Sequence, residues 1–132
     1  MEKDFLIKTF SKDKLSSEFN FIGFDKTYKN TALEKYEGEL YKIFDLTPVQ
    51  ATILKQTALS LGTDCAIHRD VLINSVDFTD VILFATKAQL KLIIEKLKHQ
   101  PFNLKKLAES LENQIHTKNS DIKIKNSVFN IK

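Results

Sequence analysis

The apolar positions of this chain follow two rhythms, one of about two residues and one of about three and a half. KDFLIKTF, residues 3–10, is rich in β-forming side chains and predicts a short strand. From Ser11 the step lengthens. Leu15, Phe19 and Ile22 recur at helical spacing, with Ser11 as the cap and Gly23 as the stop, which predicts a helix over 11–22. Residues 25–37 are polar and predict a loop or a frayed helix. ELYKIFDL, 39–46, predicts a strand with Leu40 and Lys42 on one face and Tyr41 and Ile43 on the other.

The middle of the chain is better punctuated. Thr47 followed by Pro48 is a side-chain cap and then a ring preset to helical φ. Ala51, Leu54, Ala58 and Leu61 form one face of the helix that follows, Val49 and Ile53 widen it, and Gly62 ends it. TDCAIH, 63–68, predicts a strand. VLIN, 71–74, either pairs nearby or leads into a turn at 75–77. DVILFAT, 80–86, has an apolar middle and polar ends, and predicts a central strand buried on both faces. Thr86 caps a helix over Lys87–His99 whose inward residues are Leu90, Ile93, Ile94 and Leu97. Gln100–Pro101 breaks it. Asn103 caps a last helix carrying Leu104, Leu107, Ala108, Leu111 and Ile115.

In the tail, DIKIKNSVFNIK, the period returns to two. Ile122 and Ile124 share one face, Phe129 and Ile131 another, and Asn126–Ser127 makes a plausible turn, so a β-hairpin is expected. Interleaved strands and helices predict an α/β domain, with α+β as the alternative. The expected form is a small single-domain sandwich of a short mixed sheet and three to four helices, ending in that hairpin. The boundaries are 1–118 for the domain and 119–132 for a hairpin or linker.

A length of 132 residues suits one such domain, and 42% apolar with 28% charged residues is ordinary for a folded chain. The net charge of +3 is too mild for a strongly basic nucleic-acid stripe. One cysteine excludes an internal disulfide and a cysteine-rich zinc site. The amino-terminal stretch is interrupted by charge and has no signal-peptide form, and no apolar run reaches the ~20 residues of a membrane span. A cytoplasmic location without membrane contact is expected.

Chemistry concentrates in GTDCAIHRD, 62–70, which holds the single cysteine, a histidine and two aspartates. In an extended segment Cys65 and Ile67 point one way and Ala66 and His68 the other, so thiol and imidazole diverge and cannot form a nucleophile–base pair. Cys65 then reads as a small core residue. His68, Arg69 and Asp70 lie where a strand ends. They are the candidate contact for an anion or a partner carboxylate, against the plainer reading of a solvated turn with an Arg69–Asp70 contact. No catalytic, cofactor-binding or metal-binding residue is assigned: His68, His99 and His116 are scattered, and no glycine-rich phosphate loop or nucleophile elbow occurs. Lys87, Lys91, Lys96, Lys98, Lys105 and Lys106, offset in 87–106 only by Glu95, read as a solvated helix face. The absence of interleaved aromatics among them argues against a nucleic-acid role.

Residues 51–111 resemble a domain that precedes the catalytic barrel in some bacterial dihydropteroate synthases. The resemblance is carried by ILKQ at 53–56, ALSLG at 58–62, DCAIHR at 64–69, TDVILFAT at 79–86 and QPFNLKKLA at 100–108, in that order and spacing. The family joins para-aminobenzoate to a hydroxymethyl-dihydropterin diphosphate on a TIM barrel. The barrel is expected to use Mg2+; this chain is expected to bind no cofactor. The family's barrel-opening motif, similar to IMGILNVTPDSF, does not occur here, and a barrel needs about 200 residues or more. The resemblance therefore implies a non-catalytic amino-terminal domain that supports stability, assembly or active-site cover of a barrel, linked or separate, with homo-oligomerisation open. The tail resembles the family's short hairpin before the first barrel strand. The alternative is a free-standing module that binds a small molecule or anion.

Overall fold

Two threonine–glutamine pairs set the frame of the domain. The computed structural model describes residues 4–71 and 76–118. Thr47 caps α3 (Pro48–Ser60) and Thr86 caps α4 (Lys87–Lys98), each in a complete capping box. In the first, Gln50 N–H donates to Thr47 Oγ1 at 3.2 Å and Gln50 Oε1 accepts from Thr47 N–H at 3.0 Å. In the second, the matching distances for Thr86 and Gln89 are 3.1 and 3.0 Å. Both boxes use glutamine, and the amide's other end has a task. Gln50 Nε2 donates to the Phe102 carbonyl at 2.9 Å, and Gln89 Nε2 donates to the Leu61 carbonyl at 3.2 Å, beyond the end of α3. Glutamate would complete the box but offer no donor. We expect Gln89→Glu to cost about 1–2 kcal/mol in urea denaturation, because the Leu61 carbonyl loses its partner and faces a carboxylate. Thr86→Ala should cost about 1 kcal/mol by the same measurement.

Three strands form one sheet in the order β1 (Gly38–Leu46), β3 (Thr79–Thr86), β2 (Asp64–Ala66). Both pairings are antiparallel, so the α/β expectation holds while the sheet is not mixed. Helices cover one face. Ala51, Leu54 and Ala58 of α3, Leu90, Ile93, Ile94 and Leu97 of α4, and Leu104, Ala108 and Leu111 of α5 (Leu104–Lys118) pack on Leu46, Cys65, Val81, Leu83 and Ala85 of the strands. Two shorter helices, α1 (Leu15–Ile22) and α2 (Lys29–Tyr36), build a side cluster in which Phe19 stacks on Phe24 at 4.7 Å and meets Tyr36 edge-on at 5.5 Å. An ion pair of 3.0 Å between Glu34 and Lys91 joins α2 to α4. Five α-helices among the described residues exceed the expected three to four.

Several expectations need correction. Residues 4–10 form no strand, and Phe5, Leu6 and Ile7 are 82–100% exposed. Propensity alone does not make a strand without a neighbour to pair with, and Lys8 is drawn instead to Glu18 of α1 at 2.9 Å. The helix expected over 11–22 is split: a 3-10 turn at Lys12–Lys14 precedes α1, and the Ser11 hydroxyl turns to the Asp13 carboxylate instead of capping the backbone. Gly23 ends α1 at φ 77° as expected, but Ile22 is exposed. Within 25–37, Asp25 accepts from Thr27 N–H at 2.9 Å, which holds its carboxyl below the usual range and starts a 3-10 turn, Lys26–Tyr28, ahead of α2. Asn103 lies at φ 66°, after Phe102 at 63°; both are left-handed, not the extended geometry usual for a cap.

β3 is central, but its two faces differ. Thr79, Val81, Leu83 and Ala85 are buried, whereas Asp80, Ile82 and Phe84 are exposed. An apolar run reads alike whether one face or two are covered, and helices lie on one side only. In β1 the expected alternation holds, with Leu40 and Lys42 outward and Tyr41 and Ile43 against the core, and it is interrupted only after Ile43 by a bulge. Ile43 pairs with Val81 and Leu46 with Thr79, so one extra residue is accommodated. Asp45 takes φ 60° there and donates its N–H to Asp80 Oδ1 at 3.0 Å, and Leu46 turns into the core. The segments 72–75 and 119–132, including the expected tail hairpin, lie outside the described residues.

Candidate functional site

The chemistry-bearing stretch begins where Gly62, at φ 82°, releases the chain from α3. Extended geometry lasts only through Asp64–Ala66, shorter than the expected 63–68. Cys65 faces the core and has no exposed surface. Around it, Lys55 of α3 donates to Asp64 Oδ1 at 3.0 Å and to the Cys65 carbonyl at 2.9 Å, while Cys65 N–H donates to Asp64 Oδ1 at 2.7 Å. The Lys55 hydrogen bond, followed by the Cys65 amide, holds the Asp64 carboxyl below its ordinary value. Burial pushes the Cys65 thiol up to about 11, against a smaller downward pull from the Lys55 charge. A thiol so placed stays protonated near neutrality, the reverse of an activated nucleophile. Lys55→Met is expected to return the Asp64 pKa toward the ordinary carboxylate range, read by NMR titration.

His68 lies on the other side of the segment, with its side chain 44% exposed, so sulfur and imidazole share no cleft. His68, Arg69 and Asp70 are brought together in a turn closed by Val71 N–H donating to the His68 carbonyl at 3.1 Å. Asp70 N–H donates to His68 Nδ1 at 3.0 Å, which places the neutral ring's proton on Nε2. The Asp70 carboxylate lies 3.9 Å from the same nitrogen, beyond hydrogen-bond distance, so the tie between Asp70 and His68 runs through the Asp70 backbone N–H. Arg69 makes no hydrogen bond or ion pair among the described residues.

Beside this turn is a pocket of about 540 Å³ lined by Thr52, Lys55, Gln56 and Leu59 of α3 and by Asp64 and Ala66–Arg69. Its cations are Lys55, already held by Asp64, and Arg69. The arrangement can hold a small carboxylate or phosphate with an apolar body, and it contains no nucleophile–base pair. No group of three or more metal-ligating side chains occurs among the described residues. The lysines expected as a solvated face are partly engaged: Lys91 meets Glu34, and Lys98 meets Glu112 of α5 at 3.5 Å. Their acidic partners lie outside 87–106, which the local charge count could not reveal. Lys55 was also missed as part of the site; its place one helix face from the strand depends on how α3 packs.

The comparisons bear on the same stretch. The chain is 35% identical over 111 residues to the bifunctional dihydropteroate synthase/dihydropteroate reductase of Helicobacter pylori. The match takes in 83% of this chain but only 29% of that protein. This chain is thus related to part of a folate-pathway protein. No family model matches it, and no solved structure does. No helix among the described residues is long and apolar enough to cross a membrane.

Proposed function

We propose that this chain is a non-catalytic domain of a dihydropteroate-synthase-like protein, which stabilises or positions a separate or linked catalytic portion. The observation that carries the reading is the 111-residue similarity to less than a third of the Helicobacter enzyme. Support also comes from the site: a buried, proton-retaining thiol and a histidine turned away from it offer no acyl- or group-transfer chemistry. The experiment deletes the matched segment from the Helicobacter protein and supplies this chain in trans. The truncated enzyme is expected to melt several degrees lower, to lose synthase activity, and to recover both on addition of the chain. Full activity and unchanged melting after deletion would refute the reading.

Arg69, without a hydrogen bond or ion pair among the described residues, favours a second reading, an anion site in the adjoining pocket. Benzoate or phosphate titrated into labelled protein is then expected to shift the amides of 67–70, and Arg69→Ala to abolish the response. No shift at millimolar anion would dismiss this site.

A further inference from the structure

The face of the sheet opposite the helices is not finished as a solvated surface. An antiparallel sheet with one wet face ordinarily alternates apolar inside and polar outside. Here the outer positions of the two long strands include Leu40, 72% exposed, Ile82, 49%, and Phe84, 45%, with Phe78 at 61% just before β3. Leu40 sits across from Phe84, and Lys42 across from Ile82, so these side chains share the outer face. A shallow groove of about 500 Å³ runs beside them, lined by Lys42, Ala66, His68, Phe78, Asp80 and Ile82. Adjoining exposed apolar groups of this kind mark interaction surfaces.

The charges on this face point to its occupant. Lys42 has no ion-pair partner among the described residues; its ammonium lies 5.0 Å from the Phe44 ring. Asp80 has none either, and accepts one backbone N–H through Oδ1. One cation and one anion thus flank an apolar centre on the same surface. A two-fold axis in the plane of contact sets Lys42 over the partner's Asp80, and by symmetry sets Asp80 over the partner's Lys42. Ile82 lies across from Lys42 and two residues from Asp80, so the same rotation brings it against its own copy.

We infer that two copies of this chain associate through their open sheet faces, with Ile82 near the two-fold axis and reciprocal Lys42–Asp80 pairs beside it. This goes beyond the proposed role in a folate-pathway protein and does not depend on it. The test is sedimentation velocity of the full chain over a range of concentrations. The parent chain is expected to reach twice the monomer mass. Lys42→Asp and Asp80→Lys should each raise the dimer dissociation constant about tenfold or more, and the double variant K42D/D80K should bring it back to within a few-fold of the parent. Ile82→Lys, at an exposed position and so compatible with folding, should leave a monomer with an unchanged circular dichroism spectrum. If D80K fails to fold for lack of the Asp45 contact, Lys42→Asp and Ile82→Lys decide alone. A parent chain that stays monomeric, a Lys42→Asp or Ile82→Lys variant that dimerises like the parent, or a folded double variant without recovery would overturn the inference. A face occupied only by the remainder of the Helicobacter enzyme would do so as well.

Discussion

Replacing Leu83 with alanine is expected to lower the free energy of unfolding by about 3–5 kcal/mol, while Ile82→Ala, one residue away, costs about 1 kcal/mol or less. Leu83 is fully buried in the central strand. It lies between Tyr41 of β1 and Cys65 of β2, in a close-packed row where truncation leaves a cavity. Ile82 points to the open face and is half exposed, so its truncation opens no internal cavity. Urea denaturation of the two variants reads the difference directly. Measured at protein concentrations low enough to keep the chain monomeric, equal large losses would mean that β3 is covered on both sides within one chain, and the one-layer architecture would be wrong.

The second large effect is on alkaline stability, and it belongs to Cys65. In the unfolded chain the thiol ionises near its ordinary value of 9.0; in the folded chain, burial raises this to about 11. The native state therefore keeps a proton that the unfolded state gives up. The resulting stability is fully present below pH 9 and is lost as pH rises through 11. At about 1.4 kcal/mol per pH unit, the loss approaches 2–3 kcal/mol. Burial also raises the Tyr41 pKa, with a smaller push from the Glu39 carboxylate, and adds a loss of the same sign, so the comparison must isolate the cysteine. Denaturation at pH 8 and pH 10.5, in the parent and in Cys65→Ala, does so. The variant is expected to lose distinctly less stability between the two. An identical pH dependence would show that the thiol is not buried as described. Alkylation at pH 8 gives an independent reading: slow in the native protein, fast in denaturant.

What the sequence disclosed, and what it hid, has a physical pattern. Helices with local punctuation were legible: Thr47–Pro48, Gly62 and Thr86 each act within one turn of the chain, and α3 and α4 begin and end within a residue of expectation. The inward place of Cys65 was legible because alternation along Asp64–Ala66 is local, whereas His68 lies past the strand end and takes its direction from the turn that follows. Features that depend on a distant neighbour were not. Residues 4–10 have strand-forming side chains but no partner among the described strands. The bulge at Asp45 depends on Asp80, 35 residues away. Whether Ile82 and Phe84 are covered depends on the side the helices take, which apolar content cannot report. Within the site, the Arg69–Asp70 contact of the plainer reading does not form among the described residues. Asp70 turns its backbone N–H back to His68, and Arg69 makes no hydrogen bond or ion pair among the described residues.

The proposed role is to contribute structure, not turnover, to the catalytic portion of a dihydropteroate-synthase-like protein. The most direct measurement assays the purified chain, the Helicobacter enzyme lacking the matched segment, and their mixture, with para-aminobenzoate, hydroxymethyl-dihydropterin diphosphate and Mg2+. No product from the chain alone, a weakened truncated enzyme, and recovery in the mixture are the expected results. Dihydropteroate formed by the chain by itself, or a truncated enzyme that needs nothing added, would contradict the account.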